Sequence, residues 1–488
     1  MDFKNNAGLI VFFIFIAALA VRILYMFQIL QFPLTEYLVK SSVFDQYTYN
    51  TSAIKILSGN WIGSEVFGKE PLYPYFLAVI YKIFGYSHVP VYIIQVLLSS
   101  LGALCLYKIT AAIFNRMAGY IAGFIFAFYS LSVYHDALIL RESLIASLAI
   151  FLLYFIMKAE DENRLWQWFL SGAMLGFLML TRRNMLLPFI LFYMLLIKKP
   201  FKSAFRYALI FTAGFFIVIL PVVIRNYVVS DCKYIGISKE VNAFWVGNNP
   251  ASSGVDVDWS REYNYLNDKA GGNINKTAAV FLNELKNNPG AYASLYLRKI
   301  WMFFNGYEAP SNTSYYLYRE EFPTLLRWPL FNFQFVCALA LIGIFLNLFV
   351  KPKPHILYIF LFVLSISVIL FHIQDRFRLP VVPFFIIFAS YPFYFIIEKI
   401  RKREYVKPLA VIITFLFLFI VLKPDLTYGG FRPEQDRIRP VDRTNLALAY
   451  MDEYTRRPDP DILEKALKQC DIALKTDNSP SIPHAIKG

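Results

Sequence analysis

The sequence has few acidic residues, histidines and cysteines. Asp and Glu number 34 against 48 Lys and Arg, and charged residues make up only 17% of the 488 residues. The five His and four Cys show no Cys-x-x-Cys or other ligand spacing, so the sequence indicates no metal site. A chain with so small a charged fraction does not have the composition of an ordinary soluble protein.

Apolar and aromatic residues take the place of the missing charges. The chain is 57% hydrophobic, with 48 Phe and 33 Tyr, and its mean hydropathy is +0.48. This composition is typical of a polytopic membrane protein. A net charge of +14 would suggest nucleic-acid binding in a soluble protein, but much of it lies here in short loops between apolar runs. In that position it indicates membrane topology and contact with anionic lipids, and we expect no nucleic-acid partner.

The N-terminus lacks the small-residue cleavage site of a secretory signal, so we expect its apolar run to be a first anchor. A membrane span requires about 20 apolar residues, and about eleven runs qualify. A shorter run over 71–84, which contains Pro74, predicts an interfacial or re-entrant helix. The sequence therefore predicts an all-α polytopic membrane protein. The candidate spans are 9–29, 91–113, 118–134, 144–157, 166–180, 185–197, 207–224, 329–350, 356–371, 381–397 and 409–422.

Basic clusters in the short loops predict the orientation of these spans. Lys and Arg concentrate at 198–206, 351–353 and 399–407, and short loops rich in these residues face the cytoplasm. This places the loops 32–90 and 226–327 on the outer face. The turn at 372–378 and the C-terminal tail would lie there as well.

Two domains are predicted, a membrane domain over 1–424 and a polar tail over 425–488. The long outer loop of the first contains two helical patterns, at 277–285 and 291–304. The tail contains two more, which together resemble one tetratricopeptide unit. A single unit of this kind cannot bury its own apolar face, so we expect it to pack on the membrane domain or on a partner.

The predicted outer face brings ionisable residues close to apolar spans. Asp45 lies there among aromatic residues, and Arg376 and Arg378 lie in the late turn. Such groups are costly near the membrane unless they are paired or face a polar cavity. Carboxylates mixed with several Arg suit a phosphorylated lipid substrate and a general base. The alternative is a solvated juxtamembrane loop with basic anchors for lipid headgroups.

Five short motifs in this order resemble the GT-C membrane glycosyltransferases. The similarity is to the protein O-mannosyltransferase and lipid A aminoarabinose transferase group, of the bacterial type that uses dolichyl- or polyprenyl-phosphate sugars. In one of them Glu70 replaces the first Pro of a Lys-Pro-Pro-Leu-Tyr-Pro motif, and in another Gln46 follows Asp45 where many members have Glu. The motifs are Asp45-x-Tyr47 with Ala53 and Gly59, Lys69-Glu-Pro-Leu-Tyr-Pro74, Leu140-Arg-Glu142, Gly176 to Arg182, and Arg376-Phe-Arg-Leu-Pro380.

The resemblance implies a GT-C-type bundle that transfers one sugar, with inversion, from a polyprenyl-phosphate donor to an acceptor on the outer, periplasmic face of the inner membrane. It implies Asp45 as the general base, assisted by Glu142 or Asp136. It implies no certain cofactor, and a divalent cation, Mg²⁺ or Mn²⁺, stays an alternative. Five basic residues would hold the donor phosphate, namely Lys69, Arg225, Lys299, Arg376 and Arg378. Four others would contact substrate, namely Tyr47, Tyr73, Asn248 and Glu308.

Two other classes of function are compatible with these features. A flippase or transporter for lipid-linked glycans would also use cations and an aromatic slot, but transporters commonly contain internal repeats, and this sequence shows none. A non-catalytic scaffold that docks partners through its tail would not require Asp45 or the Arg-Phe-Arg turn. The acceptor is left open between lipid A, another glycolipid, a growing polysaccharide and a protein, and the transferred sugar is open as well.

Overall fold

The computed structural model describes residues 7–183, 196, 199–239, 243–250, 252–255, 261–271, 274–349, 355–424 and 437–476. Within these ranges the regular elements are all helices, which we number α1 to α22. Two short 3-10 turns, Leu325–Arg327 and Leu379–Val381, accompany them. The helices are α1 Ala7–Ile29, α2 Pro33–Lys40, α3 Asp45–Leu57, α4 Leu72–Phe84, α5 Val89–Ile113, α6 Arg116–Ala127, α7 Ser130–Asp136, α8 Glu142–Glu162, α9 Leu165–Thr181, α10 Phe201–Val229, α11 Ala243–Val246, α12 Arg261–Ala270, α13 Ile274–Asn287, α14 Pro289–Phe304, α15 Tyr315–Glu321, α16 Phe333–Asn347, α17 His355–Ile369, α18 Asp375–Arg378, α19 Val382–Arg401, α20 Val406–Val421, α21 Pro440–Arg456 and α22 Pro460–Thr476.

The apolar helices confirm the predicted all-α polytopic membrane protein. Among the described residues, five stretches are long and apolar enough to cross a membrane, namely Gly8–Ile29, Val89–Ile113, Glu142–Glu162, Phe201–Val229 and Asp375–Arg401. Six shorter apolar helices accompany them in the same described ranges, namely α4, α6, α9, α16, α17 and α20. The predicted span at 185–197 lies almost wholly outside the described residues.

The predicted span over 118–134 is wrong, because two helices meet within it. α6 ends at Ala127 and α7 begins at Ser130. The backbone at this break pairs with an extended residue before α16: Ser130 N–H donates to the Phe331 carbonyl at 2.9 Å, and Phe331 N–H donates to the Phe128 carbonyl at 3.0 Å. Since a buried backbone group must find a partner, this pairing allows the chain to leave the helical conformation inside the bundle.

Close packing of α9 on α10 depends on glycine. A Cβ on Gly172 would collide with the Phe211 carbonyl, and a Cβ on Gly214 would collide with the Phe169 carbonyl. The two backbones can approach this closely only where neither residue has a side chain. The contact fixes the C-terminal end of α9, which carries Arg182, relative to that of α10, which carries Arg225.

Two helices of the long loop 226–327, α13 and α14, cover its two predicted helical patterns. The helix pair of the tail, α21 and α22, packs against the membrane domain. Arg456 Nη1 lies 2.9 Å from Glu36 Oε2 on α2, and Arg443 pairs with Glu321 on α15. Arg439 Nη2 donates to the Ser311 carbonyl at 2.7 Å. These contacts correspond to the first of the two packing arrangements expected for the tail.

Candidate active site

Asp45 is the first residue of α3 and forms the centre of an ion-pair cluster. The extended backbone of Phe44 starts the helix, and an acidic residue is favoured at a helix N-terminus because of the helix dipole. Asp45 Oδ1 accepts a hydrogen bond from Lys69 Nζ, and Oδ2 lies 2.6 Å from Arg376 Nη1. The carboxylate is only 17% exposed, so both cations act on it with little screening by solvent.

The two cations come from distant parts of the chain. Lys69 precedes α4, and its ammonium lies 5.6 Å from the ring centre of Tyr49, one turn after Asp45. Arg376 lies in α18, where its guanidinium packs 4.9 Å from the ring centre of Phe377. Burial raises the pKa of Asp45, but the charges of Arg376 and Lys69 outweigh burial and hold this pKa far below its usual range.

A second carboxylate, Glu142, pairs with an arginine beside this centre. Its Oε1 lies 2.8 Å from Arg182 Nη2. Arg182 packs 4.2 Å from the ring centre of Phe377, so this ring lies against the guanidinium groups of both Arg182 and Arg376. Glu142 Oε2 and Arg182 Nη1 are buried and have no hydrogen-bond partner among the described residues. This pair therefore retains donor and acceptor capacity next to Asp45.

Glu70 joins three segments of the chain. Its Oε2 lies 2.7 Å from Arg141 Nη1 at the start of α8, and its Oε1 lies 3.0 Å from Arg183 Nε just after α9. Arg141 Nη1 also donates to the Thr181 carbonyl at 2.7 Å. Burial raises the pKa of Glu70, but the charges of Arg141 and Arg183 outweigh it and lower this pKa. Glu70 thus fixes the neighbouring Lys69 relative to the ends of two membrane helices.

These pairs leave the site with an excess of positive charge. Five cations and three carboxylates give a net charge of +2. The cations are Lys69, Arg141, Arg182, Arg183 and Arg376, and the carboxylates are Asp45, Glu70 and Glu142. Such a surplus beside apolar helices suits an anionic group such as a phosphate.

Two predicted site residues lie inside the helix bundle. Asp136 pairs with Arg22 of α1 at 2.7 Å and accepts a hydrogen bond from Ser143, and both charged side chains are buried. Tyr73 is also buried, and its hydroxyl donates to Gln95 Oε1 at 2.7 Å. Asp136 and Tyr73 therefore connect helices instead of facing the ion pairs of Asp45. Tyr47 lies half-buried on α3.

The predicted phosphate ligand Arg378 also lies away from Asp45. Its guanidinium is buried, pairs with Glu308 at 2.6 Å and donates to the carbonyls of Phe303, Asn305 and Tyr307. It also stacks 3.7 Å from the ring centre of Phe333. Burial raises the pKa of Glu308, although Arg378 opposes this shift. Arg378 and Glu308 therefore join the loop 226–327 to the membrane helices.

Lys299 and Asn248 are brought together in the loop 226–327. Lys299 Nζ donates to Asn248 Oδ1 at 2.9 Å, and Tyr296 donates to the same oxygen at 2.8 Å. Burial lowers the pKa of Lys299 to about 7. Arg225 lies in a different group from Lys299. It donates to the Ile62 carbonyl and stacks 3.9 Å from the ring centre of Phe67. The five predicted phosphate ligands therefore lie in separate groups, of which Lys69 and Arg376 share Asp45.

Sequence reasoning did not assign site roles to four residues of the cluster: Glu70, Arg141, Arg182 and Arg183. A signal for them was present. Glu70 stands where the motif has Pro, and the Arg182-Arg183 pair follows an apolar helix directly. Because a charge beside a membrane helix requires a partner, an unexpected acid near three unassigned arginines points to ion pairs between them.

A family comparison adds to this geometry. Residues 68–224 match the family model of the dolichyl-phosphate-mannose-protein mannosyltransferases. The resemblance expected from the motifs is thereby confirmed. The matched stretch includes Lys69, Glu70, Glu142 and Arg182, whereas Asp45 and Arg376 lie outside it. No curated protein sequence matches the chain significantly.

Two kinds of solved structure are similar to the chain. The oligosaccharyltransferase AglB from Archaeoglobus fulgidus, in complex with an inhibitory peptide and a dolichol-phosphate, matches at 13% identity over 98% of this chain and 61% of that chain, with a TM-score of 0.49. ArnT from Cupriavidus metallidurans, bound to undecaprenyl phosphate, matches at 12% identity over 90% of this chain and 72% of that chain, with a TM-score of 0.40. The chain thus spans about three-fifths of the length of the archaeal protein.

Proposed function

We propose that the chain is an integral-membrane glycosyltransferase that moves one sugar from a polyprenyl-phosphate carrier to an acceptor. The observation that carries this proposal is the bridge of Asp45 to Lys69 and Arg376 within a cluster of net positive charge. The family match over 68–224 supports the same class of reaction. The basic loops on the opposite side support an active site on the outer, periplasmic face of the inner membrane.

The donor phosphate is held by the cations around Asp45. Arg376 can take a phosphate through two parallel hydrogen bonds, and Lys69 can act as a point charge. The Nη1 of Arg182, which has no partner among the described residues, provides a further donor beside the Phe377 ring that Arg376 also contacts. Fixed cations at this place stabilise the negative charge that develops on the departing phosphate.

Donor binding also turns Asp45 into a base. With both oxygens paired, Asp45 is a weak base in the structure, whereas an efficient general base has a pKa close to the working pH. A phosphate that binds Lys69 and Arg376 takes over part of their charge. The pKa of Asp45 then rises toward its usual range, so that the carboxylate gains basicity only when the donor is present.

The transfer is a single displacement at the anomeric carbon of the sugar. The acceptor hydroxyl oxygen forms a bond to this carbon as the bond from the carbon to the phosphate oxygen breaks. The electron pair of the broken bond stays with the phosphate, and the hydroxyl proton passes to Asp45. Because attack comes from the side opposite the phosphate, the configuration of the sugar inverts.

Glu142 acts as a positioning residue that holds Arg182 against Phe377. The described part of the chain contains no group of three His, Cys, Asp or Glu side chains arranged to hold a metal ion. Lys69, Arg182 and Arg376 stabilise the negative charge that develops on the departing phosphate.

Substitution of Asp45 tests this function. In membranes supplied with a radiolabelled polyprenyl-phosphate sugar and extracted envelope glycolipids, wild-type protein is expected to move label to the acceptor. Asp45→Asn is expected to lose at least 100-fold in turnover while its thermal unfolding stays cooperative. Asp268→Asn, a matched change at an exposed residue of α12, is the control. Wild-type turnover by folded Asp45→Asn, or movement of the labelled lipid across the bilayer without transfer, would contradict the proposal.

A further inference from the structure

A cavity of about 750 Å³ opens beside the ion pair of Lys69 and Asp45. It lies between α3 and the segment 60–75, and the C-terminal end of α10 closes one side. Its volume is in the range of sites that hold small molecules. The reaction described above uses only Lys69 of its lining, so the rest of the cavity is unassigned.

One wall of the cavity is a single face of α3. Thr48, Ser52 and Lys55 line it together with Tyr49 and Ile56. Residues three and four apart lie on the same side of a helix, and these positions follow that spacing. The Thr48 and Ser52 hydroxyl groups donate to backbone carbonyls at 3.4 and 2.7 Å, so their oxygens face a ligand as acceptors. Lys55 adds an ammonium donor on the same helix, whose first residue is Asp45.

The opposite wall is held in place by Arg225. Its guanidinium donates to the Ile62 carbonyl and stacks on Phe67 at 3.9 Å, which ties the loop to α10. Gly63 lies between these contacts with φ +74°, and a Cβ there would collide with the Arg225 guanidinium. The positive φ favours glycine at this position, and a Cβ would also displace the Arg225 guanidinium. Arg225 and Gly63 thus hold this wall of the cavity in a defined conformation.

The charges of the lining select for anions. Four basic residues face one acid, Glu65, across the cavity, and Tyr75 adds an aromatic surface. The four basic residues are Lys55, Lys69, Arg225 and Lys239. Hydroxyl groups and an aromatic ring beside cations suit a sugar that also carries negative charge.

The cavity leads directly to the proposed base. Lys69 both lines it and pairs with Asp45, and Tyr49 lines it one turn after Asp45. A sugar in the cavity can therefore present a hydroxyl group to Asp45, while Arg376 and Arg182, which do not line the cavity, remain for the donor phosphate.

We propose that this cavity is the acceptor site and that it selects an acceptor sugar bearing a carboxylate or a phosphate. The assignment of the cavity to the acceptor rests on the proposed transferase function, whereas the preference for an anionic sugar rests on the lining of the cavity alone. The enzyme would then modify an acidic envelope glycan or glycolipid in preference to a neutral one.

Lysine footprinting tests the site without any turnover. Purified full-length protein is acetylated in detergent, and the acetylation rates of Lys55 and Lys239, which are both exposed, are followed by mass spectrometry. The added probes are glucose 6-phosphate, a galacturonic-acid disaccharide, maltose and inorganic phosphate. Either acidic sugar is expected to slow both rates at least threefold, with no change from maltose and less than twofold from phosphate. Lys286, which is exposed on α13, reports non-specific effects.

Variants give the same test a second readout. Lys55→Glu with Lys239→Glu is expected to weaken probe binding at least tenfold, and Gly63→Ala at least fivefold by displacing the loop from Arg225. Gly290→Ala, at a glycine with open space around it, is the matched control. If Gly63→Ala fails to fold, Lys55→Gln takes its place with an expected threefold loss.

The possible outcomes test the cavity assignment and the proposed reaction separately. Equal protection by maltose, or equal protection by inorganic phosphate, overturns the preference for an anionic sugar. Absence of protection in a protein that transfers sugar overturns the cavity assignment and leaves the proposed function standing. Protection by acidic sugars in a protein without transferase activity upholds the binding site and overturns the proposed function.

Discussion

The Asp45 carboxylate lies 2.6 Å from the Arg376 guanidinium, although 331 positions separate the two residues in the chain. Asp45 begins a short helix between the first two long apolar helices, and Arg376 lies at the start of a late one. The pair therefore closes the site between the two ends of the membrane domain. It also keeps Asp45 ionised and weakly basic until another anion competes for the guanidinium.

Arg376→Ala is expected to weaken binding of the polyprenyl-phosphate donor roughly 10- to 100-fold, because a hydrogen bond to a charged group contributes about 1.5–3 kcal/mol. Arg376→Lys is expected to recover part of this loss, since an ammonium keeps the charge but not the two parallel hydrogen bonds. Donor titration in nanodiscs measures both variants, with exposed Arg261→Ala as control. An unchanged dissociation constant for Arg376→Ala would contradict the phosphate role.

Lys69→Met is expected to move the acid limb of the pH–rate profile to higher pH. Lys69 lowers the pKa of Asp45, so its removal raises that pKa, and Asp45 then binds a proton at a higher pH. The kcat/KM of the variant relative to wild type should therefore fall further as the pH decreases from about 6 toward the usual Asp pKa of about 4. Because kcat/KM reports groups of the free enzyme, profiles that stay parallel over this range would show that Lys69 does not control Asp45. Lys286→Met is the control.

Apolar runs predicted most helices because burial in a membrane depends on local composition. They failed at Phe128 and Tyr129, where the helix break depends on pairing with Phe331, a partner about 200 positions away.

The motif alone could not separate the roles of Arg376 and Arg378, because their partners also lie far away in the chain. Residues two apart on a helix point in different directions, so Arg376 reaches Asp45 while Arg378 reaches Glu308. Glu70 and its arginines come from three segments, and their pairing requires the fold.

Arg378→Met is expected to reduce stability and to leave donor affinity unchanged. It removes the partner of the buried Glu308 carboxylate and donors to three backbone carbonyls. Loss of one partner of a buried pair costs about 3–5 kcal/mol. The double variant Arg378→Met with Glu308→Gln should lose less than the sum of the two single variants, because Gln leaves no unpaired charge. Thermal unfolding in detergent measures the three losses, and additive losses would show that the pair is not coupled.

Lys299→Met is expected to stabilise the protein, and by more at pH 6.5 than at pH 9.5. Burial lowers the pKa of Lys299 to about 7, whereas a lysine in the unfolded chain titrates at roughly 10.4. Between these values the unfolded chain binds a proton that the folded chain does not, so wild-type stability rises with pH across this window.

The stability gained by Lys299→Met should therefore shrink by roughly 1.4 kcal/mol for each unit of increasing pH between these two pKa values. Asn248 Oδ1 keeps its hydrogen bond from Tyr296 in the variant, which limits other losses. Thermal unfolding at the two pH values measures the difference, with exposed Lys286→Met as control. An equal effect of Lys299→Met at both values would show that this amine titrates alike in the folded and the unfolded chain. Its burial beside Asn248 would then carry no cost in free energy.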